Sequence, residues 1–243
     1  MPAIEHLTIA VAQFESRLGD LDYNLKRHLD FVEEAKGRNC DVLMMPETSL
    51  VGHAAGPDTL RLARTRTDCV VKRIADAAGE MVVIFGMIEE APAAQFHNAA
   101  VVVKSGELLF LHHKINLPTY GLLEEAKYFA PGRYVDTFEL GGPWRASLQI
   151  CADVWNPALI WLAALQGATC LFIPVSSGLE AVGGQFDNPG GWDTTLAFYA
   201  KMYGLPIIMA NRVGREGDLN FWGGSRILDP FGAELARAGE GEE

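Results

Sequence analysis

Short apolar runs alternate along this chain with segments whose apolar residues recur at helical spacing. Residues 7–14, 41–45, 81–88, 146–150, 170–175 and 205–210 read as strands, with 137–140 and 223–228 as shorter candidates. Leu21, Leu25, Leu29, Val32 and Ala35 stand three or four apart with charged residues between them, so an amphipathic helix is expected there, capped by Asp20 or Asp22. Further helices are expected at 68–78, 157–166 and 192–203. Asn156 and Pro157 fit the N-cap and first position of the 157–166 helix, and Gly167 its end. The strands read as mostly buried. An alternation of this kind leaves few architectures open, and it predicts a layered α/β domain with helices covering the sheet.

Two connections stand out. Lys104-Ser105-Gly106-Glu107 is a hairpin turn between strands at 97–103 and 108–112. Residues 115–134 hold Pro118, Gly121, Pro131 and Gly132 and read as a long loop. The loop also carries Tyr120, Leu122, Leu123, Tyr128 and Phe129, too apolar for disorder, so a functional role is expected. Residues 239–243 are polar and read as a frayed or truncated end.

Composition narrows the function classes. A net charge of −11 argues against nucleic acid as a partner, because phosphate binding needs a basic surface. No run approaches the roughly 20 apolar residues of a membrane span, so no membrane partner is expected. The stretch from Met1 to His6 lacks a basic region followed by an apolar one, so no leader is expected. The cysteines Cys40, Cys69, Cys151 and Cys170 are scattered, without CxxC or Cys/His zinc spacing, so no metal site is read. Reduced thiols in a cytoplasm follow. Cys40 and Cys170 border apolar runs and read as core, Cys69 as inert. His112 and His113 are neighbours on a strand and should point to opposite faces.

Three reactive side chains remain, each at the C-terminal end of an expected strand. They are Glu47, Lys114 and Cys151. Each alone is more commonly structural: a solvated turn, a surface lysine, a core thiol. Together they are complementary. A thiol with a pKa of about 8.5 is a poor nucleophile at neutral pH. A carboxylate can take its proton, and an ammonium can stabilise the anion that forms. If the three strands are neighbours, the groups converge.

The local sequences around them resemble those of the nitrilase superfamily of carbon–nitrogen hydrolases. Pro46-Glu47, the run His113-Lys114-Ile115-Asn116-Leu117-Pro118-Thr119-Tyr120-Gly121, and Gln149-Ile150-Cys151-Ala152-Asp153-Val154-Trp155 are similar to its three signature segments. Residues 125–132, Ala210-Asn211-Arg212-Val213-Gly214 and Gly223-Gly224-Ser225 resemble further segments, so the likeness runs over nearly the whole chain. It implies an αββα sandwich formed by residues 1–243 as one domain, ending earlier than many relatives. It implies Glu47 as base, Lys114 as cation, Cys151 as nucleophile, and Glu125 as a second glutamate near the substrate. It also implies subunits that pair through helices near the nucleophile, as a homodimer or higher homo-oligomer.

Cys151 is followed by Ala152-Asp153 rather than the Trp-Glu of true nitrilases, which is similar to the amidase and glutaminase branches. The expected activity is therefore hydrolysis of a small amide through a thioester, with no metal or organic cofactor. The Ala152 N–H would help hold the oxyanion. Carbamoyl compounds or nitriles are the alternative substrates, and a non-catalytic scaffold is the alternative of another class. Tyr120 and Trp155 are expected to wall the pocket or fill the core. Asp153 would anchor the turn or contact substrate, and Ser176 and Ser177 would face the same site.

Overall fold

The computed structural model describes residues 6–243. Residues 1–5, read above for a leader, lie outside the described residues. The first sheet runs β1 (Ile9–Val11), β2 (Val42–Met44), β3 (Val82–Ala91), β4 (Gln95–Lys104) and β5 (Glu107–His113) in that spatial order. Its first three strands are parallel and the last two antiparallel. Helices α1 (Leu21–Gly37), α2 (Thr59–Leu62) and α3 (Cys69–Ala78) belong to the same half of the chain. The second half contributes β6 (Thr137–Gly141), β7 (Trp144–Leu148), α4 (Pro157–Leu165), β8 (Cys170–Val175), α5 (Asn188–Tyr203) and β9 (Ile207–Asn211). A hairpin follows, β10 (Val213–Glu216) with β11 (Leu219–Trp222), then β12 (Arg226–Leu228) and β13 (Glu234–Arg237). The second sheet has the order β13-β12-β9-β8-β7-β6.

The two sheets pack face to face with helices outside, and each strand's alternation sends its side chains to two different cores. On β3, Val83 and Phe85 meet Val71 and Ile74 of α3 and Leu25 and Val32 of α1. Val82 and Ile84, one residue out of phase, face the second sheet, where Leu148, Phe172 and Ile208 meet them. The second sheet's other face holds Ile173 and Met209 against Ile160 of α4 and Leu196 of α5. A continuous apolar run is what a strand needs when both faces are covered. Asn156 caps α4 as expected, accepting from Ala158 N at 3.1 Å; of the two candidates for α1 it is Asp20 that accepts, from Tyr23 N at 3.1 Å, and Asp68 caps α3 through Val70 N at 2.8 Å.

Four expectations need correction. The first strand is only Ile9–Val11, because Gln13 leaves the ladder. Its amide donates to Gly239 O at 2.9 Å and Gly241 O at 2.7 Å, so the polar C-terminal residues are tied down rather than frayed. Helix α5 begins at Asn188, a turn earlier than expected; Asp187 caps it through Gly190 N at 3.1 Å, and Gly190 and Gly191 hide that turn from propensity. The strand expected up to Ile150 ends at Leu148 as half of a hairpin with β6. The β10–β11 hairpin and β13 have too little apolar pattern to be read from sequence.

Candidate active site

Pro46 and Glu47 follow β2 in a tight turn that lies against β3. Thr48 sits at φ 49°, a conformation that a β-branched residue rarely takes. The turn fits because β3 has Gly86 beneath it: a Cβ there would meet Thr48 N at 2.1 Å and Glu47 C at 2.8 Å. A lone glycine inside an apolar strand marks such a close approach. Glu47 is buried, and its Oε1 accepts from Lys114 Nζ at 2.6 Å and from Asn98 Nδ2 at 2.8 Å. Its Oε2 is buried with no hydrogen-bond partner.

Lys114 follows β5 and is 1% exposed. Its N–H bonds to Asn98 O at 2.9 Å, and its ammonium donates to both Glu47 and Glu125 Oε1, each at 2.6 Å. Glu125 reaches it from a 3₁₀ turn, Glu125–Lys127, inside the long loop. That loop is ordered by Glu125 N to Pro118 O at 3.1 Å, Ala130 N to Phe96 O at 2.8 Å and Gly132 N to Lys114 O at 2.7 Å. Asn98, unread in the sequence, is a polar side chain within the apolar strand β4, and such a residue is the visible signal of a site.

Cys151 starts a 3₁₀ turn, Cys151–Trp155, at φ 45°. A left-handed nucleophile between an extended Ile150 and a helical turn holds its thiol out of the sheet and leaves the first backbone donors of the turn free. Asp153 builds this corner. Its Oδ2 accepts from Ile150 N at 3.0 Å and from His112 Nε2 at 3.2 Å. Its Oδ1 accepts from Ile115 N at 2.9 Å and Asn116 N at 2.7 Å. Asp153 is wholly buried and does not line the cavity, so it belongs to the turn rather than to a substrate contact. His113 turns the other way, onto Glu89, as neighbours on a strand must.

The thiol faces a cavity of about 320 Å³. Tyr120, Ala152, Trp155, Ser176 and Ser177 all line it, with Glu125 and Cys151. The sequence reading missed His53, Asn188, Trp192 and Phe186 on the same wall. They come from the turn after Glu47 and from α5 and the residues just before it, neither of which has a local pattern tying it to Cys151. A groove of about 610 Å³ between α1, β1 and β13 holds none of the candidate reactive residues. Among the described residues no group of three or more His, Cys, Asp or Glu is placed to hold a metal.

The charges are strongly coupled. Burial pushes the Lys114 ammonium down, but Glu125, Glu47 and Cys151 outweigh it and hold its pKa well above the usual lysine range. Burial, with Glu47 adding to it, raises Glu125 to about 7 against the pull of Lys114. Burial and then the charge of Glu47 push the Cys151 thiol well above its usual range, although Lys114 and the Ser176 N–H pull it back. The resting thiol is therefore protonated at neutral pH. It needs a base at the moment it attacks, and Glu47 has an oxygen free.

The profile of carbon-nitrogen hydrolases matches residues 8–243. The chain belongs to this family. A glutamine-dependent NAD(+) synthetase of Acinetobacter baylyi is 30% identical over 92% of this chain and 40% of its own length. The chain spans about two fifths of the NAD synthetases it matches. An (R)-stereoselective amidase from Pseudomonas sp. is 30% identical over 97% of this chain and 82% of its own. A solved amidase from Nesterenkonia sp. AN1 superposes with a TM-score of 0.87, 25% identity, and coverage of 98% of this chain and 91% of that one. That structure is of a glutamate-to-glutamine variant, with a Michael adduct of acrylamide on the active-site cysteine. The two packed sheets with outer helices match the fold of an amidase from the nitrilase superfamily.

Proposed function

We propose that this chain hydrolyses a small carboxamide through a thioester on Cys151. The observation that carries the reading is Glu47. One oxygen is fixed by Lys114 and Asn98, the other is buried without a partner, and the charge of Glu47 acts on the Cys151 thiol. Buried polar groups are nearly always paired, so an unpaired carboxylate oxygen is a candidate for use in the chemistry.

In this scheme the Cys151 proton passes to Glu47 as the sulfur attacks the amide carbon. The carbonyl oxygen becomes an oxyanion, held by the Lys114 ammonium and the Ala152 N–H. Collapse breaks the C–N bond. The proton on Glu47 leaves with the amine, giving ammonia from a primary amide and a thioester on Cys151. Water then attacks the thioester and gives a proton to Glu47. The acid departs, and the thiolate recovers that proton. Glu125 holds Lys114 from the cavity side. The amidase relatives support an amide substrate, and the Michael adduct in the glutamate-to-glutamine variant of the Nesterenkonia enzyme supports a nucleophilic cysteine.

Glu47→Gln should keep the fold and lower kcat by about 10³-fold or more, because the amide cannot take the thiol proton. Ammonia release and intact mass, followed over amides, carbamoyl compounds and nitriles, check this. Near-normal turnover by Glu47→Gln, or any turnover by Cys151→Ala, would sink the scheme.

A second copy of the chain is the partner this reading includes. Helices α4 and α5 cover the outer face of the second sheet, yet leave Trp161, Leu165, Phe198 and Met202 exposed on their outward sides. Exposed large apolar side chains on two adjoining elements suit an isologous dimer. No helix among the described residues is long and apolar enough to cross a membrane.

A further inference from the structure

The wall of the cavity in front of Cys151 is apolar in body and has no free charge. Trp155 meets Phe186 with centroids 6.0 Å apart and Trp192 at 5.2 Å, both edge to face. Ala181, Val182 and Leu123 extend that surface. Besides Cys151 and Tyr120, the ionisable side chains on the wall are His53 and Glu125, and both are engaged. Glu125 gives one oxygen to Lys114 at 2.6 Å and has Asn98 Nδ2 3.5 Å from the other. His53 pairs through Nδ1 with Ser176 Oγ at 3.0 Å. Burial lowers its pKa to about 4, although Glu47 and Glu216 oppose this, so the ring is neutral at pH 7. The Arg212 guanidinium is off the wall, bound to Glu216 at 2.7 Å and Ser16 O at 2.9 Å. Among the described residues, then, none on the wall offers an uncommitted cation or anion to a bound molecule.

Ser177 supplies the complementary observation. Its Oγ accepts from Asn188 Nδ2 at 2.9 Å and from Trp192 Nε1 at 3.1 Å. A hydroxyl has two acceptor positions and one proton to give. Both acceptor positions are filled, so Ser177 can only donate, and no protein acceptor takes its proton. The residue is 6% exposed and lines the cavity.

We propose that this cavity takes small uncharged amides: the carboxamide at Cys151, an apolar or aromatic body against Trp155, Phe186 and Trp192, and one hydrogen-bond acceptor received by the Ser177 hydroxyl. The amino-acid end of glutamine is refused, because its ammonium and carboxylate would be desolvated without partners. The inference rests on the amidase reading above and sets the chain apart from the glutamine-dependent relatives it matches. A site that leaves polar groups unpaired discriminates by about 10³-fold or more.

Binding and turnover are read separately. Cys151→Ala protein is titrated by NMR with pentanamide, 4-oxopentanamide, 3-phenylpropanamide and L-glutamine, and the intact enzyme is assayed for ammonia with the same compounds. The neutral amides should bind and turn over at least about 10³-fold better than glutamine. 4-Oxopentanamide should exceed pentanamide by about tenfold. That advantage should vanish in Ser177→Ala and persist in Ser177→Thr. Glutamine binding as well as pentanamide, or no binding by any amide, overturns the proposal. Neutral amides that bind selectively but are never hydrolysed overturn the amidase reading and leave the selectivity standing. A tenfold preference that survives Ser177→Ala overturns the role given to Ser177.

Discussion

Asp153 spreads four hydrogen bonds over two buried oxygens. Through them the residue before the thiol is tied to the two residues after Lys114, so one carboxylate sets the distance between nucleophile and cation. Asparagine keeps the shape but offers one acceptor oxygen in place of two. Asp153→Asn should cost about 2–4 kcal/mol in urea denaturation, because buried N–H donors lose a charged partner. It should also lower kcat by about tenfold or more, since small misplacements of reacting groups are expensive. Unchanged stability would show that water replaces the lost acceptor. The sequence offered anchor and substrate contact as roles for Asp153. Its partners lie 37 and 38 residues back in the chain, so only folding could choose between them.

Elements explain why the reactive groups meet. Glu47 and Lys114 sit after strands of the first sheet, and Cys151 after the second sheet's β7, so the site forms where the ends of two packed sheets face each other. Gly86 lets the Glu47 turn lie on β3, and Gly132 lets the long loop return over His113, where a Cβ would meet His113 O at 2.1 Å. Helix α4 buries Leu159, Ile160 and Ala163 and leaves Trp161 half exposed, so its sequence is apolar on more sides than one sheet can cover. Trp161→Glu should leave monomer stability within about 0.5 kcal/mol and halve the mass measured by light scattering. A wild-type protein that is already monomeric at high concentration would remove the dimer from the proposal.

Across the whole molecule, the buried titratable groups give stability a pH dependence whose sign can be worked out. His28 is on the buried face of α1, with Nδ1–H donating to Asn24 O at 2.6 Å and Nε2 accepting from Ser49 Oγ at 2.9 Å. Burial lowers its pKa to about 4, and His53 is lowered to about 4 as well. Between pH 4 and 6.5 both bind fewer protons folded than unfolded, so they make stability rise with pH. Glu125, raised to about 7, binds more when folded and works the other way from pH 4.5 to 7. Two imidazoles oppose one carboxyl, so the urea midpoint should climb between pH 4 and 6.5. His28→Gln should remove a part on the order of 2–3 kcal/mol, and a flat wild-type profile would contradict the assignment. The sequence by itself determined the alternation of strands and helices, the cap at Asn156, and which three side chains could share chemistry, because periodicity, capping and reactive type are local properties. The tertiary structure alone decided that Glu47 keeps one oxygen free, that Asp153 faces inward, and that His53, Asn188, Phe186 and Trp192 wall the cavity. Those outcomes depend on contacts between segments far apart in the chain, where hydrogen-bond geometry and desolvation leave no local trace.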